Sequence, residues 1–237
     1  MLDNSHSGRS AAPGEVALIV TARNEADRLG ATLSALARAF PGAPAWVADD
    51  CSTDATAEIA RAAGARVVRG ERALGKGGAA TRAAREVLRD TRAAGAILIL
   101  CDGDLAESAA GLGALAEAIG QRRADVAVAA FTTRAGGGVG LAVGFARWAI
   151  RRRCGLLTKA PISGQRAMHA DALGDLLPFA PGFGMELGMT IDAVRAGYRV
   201  LELELDLGHR ASGRTPAGFA HRGRQLADFA RAYLARG

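Results

Sequence analysis

The residues best suited to chemistry come in three clusters, each directly after an apolar run. Asp102-Gly103-Asp104 follows AILILC, the most apolar short stretch of the chain. Its two carboxylates stand two residues apart, a spacing that lets both face one side. The glycine between them lets backbone come close to a ligand. Carboxylate oxygens beside a diphosphate are what Mg2+ or Mn2+ requires, although an Asp-x-Asp after a strand also serves as a helix cap or a solvated turn. Thr21-Ala22-Arg23-Asn24-Glu25 and Asp49-Asp50-Cys51-Ser52-Thr53-Asp54 end two earlier apolar runs in the same way. Three such clusters together favour a ligand site over three unrelated turns. Lys76 stands apart for another reason. All but two of the 30 basic residues are arginine, and this lysine sits between Gly75 and Gly77, where backbone can close on a phosphate. Its alternative is a solvated turn.

To bring these clusters together, the chain needs strands that end on a common edge. Short apolar runs predict strands at Val16–Thr21, Ala45–Ala48, Arg66–Arg69, Ala96–Cys101, Asp125–Ala130 and Val200–Leu205. Between them, helical spacing of Leu29, Leu33 and Leu36 predicts a helix over Glu25–Arg38, and further helices are expected at Gly78–Arg92, Ala109–Ile119 and Met185–Ala196. Ser52-Thr53-Asp54 opens another helix with capping chemistry and Gly64 closes it. This β-α-β-α alternation implies an α/β fold with a mostly parallel sheet and helices on both faces. Ligands in such sheets sit beyond the carboxyl ends of the strands, which is where the clusters fall. Residues 1–13 read as a loose tail and 14–237 as one domain, with a nucleotide-binding half at 14–134 and an acceptor-binding half at 135–237. Gly136-Gly137-Gly138 marks the break between the halves, and 161–165 reads as a loop.

Composition narrows the function classes. A hydrophobic share of 49% in 237 residues supplies a large core, and with 5% aromatics that core is mainly aliphatic. The net charge of +6 comes from arginines spread along helices, with one tight run at Arg151, Arg152 and Arg153 and no aromatic platform, so nucleic acid is disfavoured. An anionic small substrate or an acidic membrane surface remains open. Three separated cysteines without a CxxC, and no secretory pattern at the start, point to a reduced cytoplasmic setting and no zinc site. No apolar run approaches the ~18 residues of a membrane span.

VTARNEADRL, DDCSTDAT and CDGDL resemble the first-strand nucleotide site, the second turn and the metal-binding Asp-x-Asp of family-2-like glycosyltransferases with the GT-A fold. The resemblance runs over nearly the whole chain. GKGGA, ISGQRAM, LPFAPGFGMELGMTID and LGHR resemble, within that group, the glucosyl-3-phosphoglycerate synthases. It implies a uracil and ribose pocket from Thr21, Arg23, Glu25 and Asp50, with Lys76 near the donor diphosphate. Asp102 would meet ribose or metal, Asp104 the metal, and His209 would be a late metal ligand, unless that histidine is a core or surface group. Gly164-Gln165-Arg166 lies where the synthases carry a sugar- and acceptor-contacting loop, and Arg166 would suit an anionic acceptor by bidentate contact. Glu186, at the start of a helix, either meets the helix dipole, binds sugar or acceptor hydroxyls, or acts as a general base. The synthases retain anomeric configuration, so hydroxyl binding is preferred. Asp104, Lys76 and Glu186 are then the catalytic candidates.

The implied activity is metal-dependent transfer of a hexose, glucose first, from a UDP-sugar to a small anionic acceptor such as 3-phosphoglycerate. Two other readings are sugar transfer to polyprenyl phosphate at a membrane surface and a nucleotide-sugar-binding module without turnover. The basic helix over Leu141–Arg153, with Trp148, resembles the stretch where polyprenyl-phosphate transferases meet the membrane, or is a solvated face. A homodimer is left open.

Overall fold

The computed structural model describes residues 16–90, 93–131, 140–208 and 216–237. The expectations for the tail, for Gly136-Gly137-Gly138 and for His209 lie outside the described residues.

Seven strands build one sheet: β1 (Val16–Ala22), β2 (Ala45–Asp49), β3 (Arg66–Arg69), β4 (Ile97–Asp102), β5 (Val126–Phe131), β6 (Arg166–His169) and β7 (Val200–Leu205). Their order is β3-β2-β1-β4-β6-β5-β7. β6 runs antiparallel to both β4 and β5, and the remaining pairings are parallel. The expected fold class therefore stands, with one inserted antiparallel strand. The loop expected at 161–165 leads directly into that strand. RAMH carries no strand signal of its own, and it becomes a strand because it is bonded on both sides.

Helices cover both faces, so in β1, β2, β4 and β5 strand residues of either parity are buried, whereas the edge strands β3 and β7 are only partly covered and carry charged residues. On one face, Leu18, Val20, Ile99 and Cys101 pack with Leu29, Leu33 and Leu36 of α1 (Leu29–Ala39), with α2 (Thr56–Ala62) and with α4 (Gly113–Gly120). On the other, Ile19, Leu98 and Leu100 pack with Ala80, Ala83 and Val87 of α3 (Gly75–Arg89), and α6 (Ala170–Asp175) and α7 (Met185–Arg195) extend that layer. A third cluster joins α5 (Gly140–Cys154), α7 and α8 (Pro216–Leu234) through Ile150, Leu187, Ile191 and Phe229.

Three boundaries differ from expectation in ways that matter. α1 starts at Leu29, not near Glu25, because Asn24 takes a positive φ of 55° and the Glu25 carbonyl closes a turn onto the Arg28 and Leu29 N–H groups. The helix expected over Ala109–Ile119 is a 3-10 stretch, Ala106–Leu112, running into α4. α3 begins at Gly75, so Lys76 belongs to the first turn of a helix and not to a free glycine turn. By contrast, Gly64 ends α2 with a φ of 79°, as its position implied.

Candidate active site

Strand order decides where the site lies. β1 has β2 on one side and β4 on the other, so the connections leave β1 and β4 in opposite directions and open a crevice beyond their carboxyl ends. Thr21 and Asp102 are register partners at that edge. The alternation that sends Ile19 and Leu100 toward α3 also sends Thr21 and Asp102 to that side. Thr21 Oγ1 donates to Asp102 Oδ1 at 2.8 Å, and the Gly103 N–H closes the turn on the Thr21 carbonyl at 2.9 Å.

Lys76 enters the crevice from the first turn of α3 and joins two carboxylates. Its Nζ lies 2.5 Å from Asp102 Oδ1 and 2.6 Å from Glu186 Oε1, with 19% of the side chain exposed. Burial works against the ammonium, but the charges of Asp102 and Glu186 and their hydrogen bonds outweigh it and hold the Lys76 pKa above its ordinary value. Burial likewise opposes the Asp102 charge. Lys76, followed by hydrogen bonds from Lys76, Thr21 and Gln165, overrides it and keeps that carboxyl below the usual range. Gly164 lies directly on this pair: a Cβ there would stand 2.4 Å from Lys76 Nζ and 2.9 Å from Asp102 Oδ2.

Asp50 anchors the loop that presents Lys76. It is buried, and its carboxylate accepts the Leu74 N–H at 2.7 Å and the Gly75 N–H at 3.1 Å. Gly75 has a φ of 72°, a left-handed conformation that favours glycine. Arg23, more than half exposed, reaches Asp50 at 3.3 Å. Glu25 donates its N–H to Thr56 Oγ1 at 2.9 Å, which ties the β1 turn to α2. Asp104 is half-buried, and its carbonyl accepts from Arg28 at 3.1 Å. The structure thus gathers Thr21, Lys76, Asp102, Gly164 and Glu186 at one point, with Asp50 behind the Lys76 loop.

Arg166 is the correction. The residue expected to meet an anionic acceptor by bidentate contact is 1% exposed, inside β6, and burial lowers its pKa to about 10. Its Nε donates to the Ser163 carbonyl at 3.0 Å, Nη1 to Thr190 Oγ1 at 3.0 Å and Nη2 to the Glu186 carbonyl at 2.9 Å. With three of its five N–H donors engaged inside the protein, this guanidinium is tied to two carbonyls and the Thr190 hydroxyl. The neighbour to which the sequence reading gave no role, Gln165, is the one that reaches the site: its Nε2 donates to Asp102 Oδ2 at 3.0 Å. A buried glutamine beside a glycine was the available signal, but its burial depends on β6, which the sequence did not reveal.

Carboxylates are the donors a hard divalent cation takes, and Asp102 and Asp104 offer two of them, although among the described residues no group of three or more His, Cys, Asp or Glu side chains comes together as a metal site. Asp102 and Asp104 supply carboxylate oxygens at one strand end, and a carboxylate with three hydrogen-bond donors still has acceptor capacity. At Gly164 the lack of a side chain is what lets backbone approach Asp102 and Lys76 this closely.

The sequence profile of Glycosyl transferase family 2 matches residues 17–166, more than half of the chain and all three strand-end clusters. The chain belongs to glycosyl transferase family 2. No curated protein sequence matches it. Solved structures do. Glucosyl-3-phosphoglycerate synthase from Mycobacterium tuberculosis, in complex with Mn2+, UDP and glucosyl-3-phosphoglycerate, gives a TM-score of 0.75 at 24% identity, covering 94% of this chain and 80% of that one. The same synthase with phosphoglyceric acid gives 0.77 at 24% identity, and with UDP 0.69 at 25% identity, with the same coverage. This family-2 chain is therefore a glycosyltransferase of GT-A fold.

Proposed function

We propose that this glycosyltransferase moves a hexose, glucose first, from a UDP-sugar to a small anionic acceptor such as 3-phosphoglycerate, with Mg2+ or Mn2+ bound. The observation that carries the reading is the Lys76 ammonium bridging Asp102 and Glu186 at the switch point of a GT-A sheet. Solved relatives of this fold were crystallised with UDP and Mn2+, or with UDP, Mn2+ and phosphoglyceric acid. Asp102 and Asp104 would hold the metal, which when bound supplies positive charge beside the leaving diphosphate. Lys76 supplies a second positive charge, preorganised by Asp102 and Glu186, for the charge that builds there in the transition state. Thr21, Arg23, Glu25 and Asp50 line or support the nucleotide side. Glu186, opposite Lys76, accepts hydrogen bonds from sugar or acceptor hydroxyls.

Calorimetry of UDP with and without Mn2+ tests the donor, and turnover of UDP-glucose with 3-phosphoglycerate tests the acceptor. Mn2+ should tighten UDP binding, and Asp104→Ala should remove that effect with the fold intact, since the residue sits on a strand-end turn. Absence of UDP binding with either metal would overturn the donor. Turnover insensitive to EDTA would overturn the metal.

One observation favours a second reading, transfer at a membrane surface. Leu141 and Trp148 of α5 are 84% and 51% exposed, on a face shared with exposed Arg147, Arg151 and Arg152. Co-sedimentation with anionic vesicles, together with no turnover of any phosphoglycerate, would put this reading first. Among the described residues no helix is long and apolar enough to cross a membrane.

A further inference from the structure

We infer that Arg166 and Gln165 are positioning residues: together they set the separation at which Lys76 bridges Asp102 and Glu186. Two carboxylates from distant elements, Asp102 at the end of β4 and Glu186 in α7, meet one lysine. What joins the two elements at that point is the short segment entering β6. Ser163 Oγ donates to Gln165 Oε1 at 3.2 Å, which turns Gln165 Nε2 toward Asp102 Oδ2. One residue on, the Arg166 guanidinium grips the first two turns of α7 through the Glu186 carbonyl and Thr190 Oγ1. The third donor, Nε, folds back on the Ser163 carbonyl, so both grips share one base.

The chemistry of the group supports this role. Arg166 is buried, and its guanidinium donates to two carbonyls and one hydroxyl. A planar fork with fixed donor directions holds three acceptors in a set geometry, which a lysine, a point donor on a flexible stem, does not. Burying such a charge opposes folding, and here a positioned Glu186 is what it secures. Thr190 Oγ1 also donates to the Glu186 carbonyl at 2.9 Å, so that carbonyl receives two donors and the first turn of α7 is held twice.

The inference rests on the transferase reading only for its kinetic arm. Its primary test does not need substrate. Lys76 and Lys159 are the only lysines in the chain, and Lys159, in the segment leading to Ser163, is exposed and paired with Glu204. Pulse acylation at one fixed pH, with peptide mass spectrometry, therefore reads the shielding of Lys76 against an internal control. Arg166→Met should raise the Lys76 to Lys159 labelling ratio about fivefold, and Arg166→Lys should recover only part of the protection. Gln165→Leu should raise it by a smaller factor. Thermal unfolding of the same samples identifies any variant that fails to fold; Thr190→Val, which removes both bonds of the Thr190 hydroxyl and leaves the Arg166 bonds to the Ser163 and Glu186 carbonyls, then stands in for Arg166→Met and should raise the ratio about twofold. An unchanged ratio in the folded variants would overturn the inference.

In the kinetic arm, Arg166→Met should lower kcat about tenfold, with the acceptor KM and the UDP Kd within twofold of the parent. A large rise in acceptor KM at unchanged kcat would mean that Arg166 meets the acceptor directly, and the positioning role falls. If the parent itself turns over no UDP-sugar, the transferase substrate assignment fails while the labelling result still decides the inference.

Discussion

At the scale of single residues, Lys76 carries the most. Its ammonium pairs with Glu186, a side chain 5% exposed, and also with Asp102. Removing one partner from a buried ionic group leaves uncompensated charge, which costs more than the pair gained. Lys76→Met should lower the unfolding free energy by roughly 3 kcal/mol, the low end for a buried pair losing one member. Combining it with Glu186→Gln should restore part of that loss, because the two changes act on one interaction and do not add. Urea denaturation of the two single variants and the double variant measures the coupling, and strict additivity would show that the ion pair contributes nothing to stability. Sequence singled out Lys76 by rarity and by its glycine neighbours, and Glu186 by its motif. That the two meet was not legible, since they are far apart in the chain and approach from different helices.

At the scale of elements, the presentation of Lys76 depends on how closely α3 docks. Gly77 is the contact: a Cβ there would come within 1.9 Å of the Ala180 carbonyl, an atom that belongs to backbone and has no flexible end to move. Gly77→Ala should therefore force α3 outward and destabilise by about 2 kcal/mol, as overpacking does. Because the shift displaces the first turn, catalysis should fall too, although Gly77 itself offers no side chain to a substrate. Gly113 provides the contrast. It opens α4 with nothing within 4 Å of its Cβ position and an ordinary helical φ of −53°, so Gly113→Ala should leave stability unchanged or raise it by about 0.4–1 kcal/mol. Denaturant midpoints of both variants check the pair. Equal effects would mean that the close approach at Ala180 is not what sets the helix position. Sequence did announce a glycine-rich start to this helix, but it put the helix start three residues late and so misread the lysine as a loop residue.

For the molecule as a whole, the insertion of β6 decides how its parts cooperate. A division at 134/135 matches a nucleotide half and an acceptor half in sequence, yet β6 from the second half lies between β4 and β5 of the first. Neither half closes its own sheet, and the site draws Lys76 and Asp102 from one and Gln165 and Glu186 from the other. Unfolding should therefore be a single transition, even in a chain of 237 residues. The two tryptophans report this separately, with Trp46 buried in β2 of the first half and Trp148 exposed on α5 of the second. Variants Trp148→Phe and Trp46→Phe, followed by fluorescence and by far-ultraviolet circular dichroism, should give coincident midpoints. Two separated midpoints would show that the halves fold as independent units.

Periodicity and strand-end chemistry were local properties, and the sequence alone determined what depends on them: the alternation of strands and helices, the α/β class, and the three polar clusters on one sheet edge. Thr21 and Asp102 could be placed on that edge because each ends an apolar run, and an apolar run buried on both faces needs no knowledge of its neighbours. The fate of Arg166 was decided only in three dimensions. An arginine in a short polar stretch reads as exposed, since burying its charge is costly unless acceptors are waiting. Those acceptors, at Ser163, Glu186 and Thr190, come together only when RAMH is bonded between β4 and β5 and α7 packs against it. No local pattern encodes that convergence, and so the residue expected to hold a substrate holds the active-site helix instead.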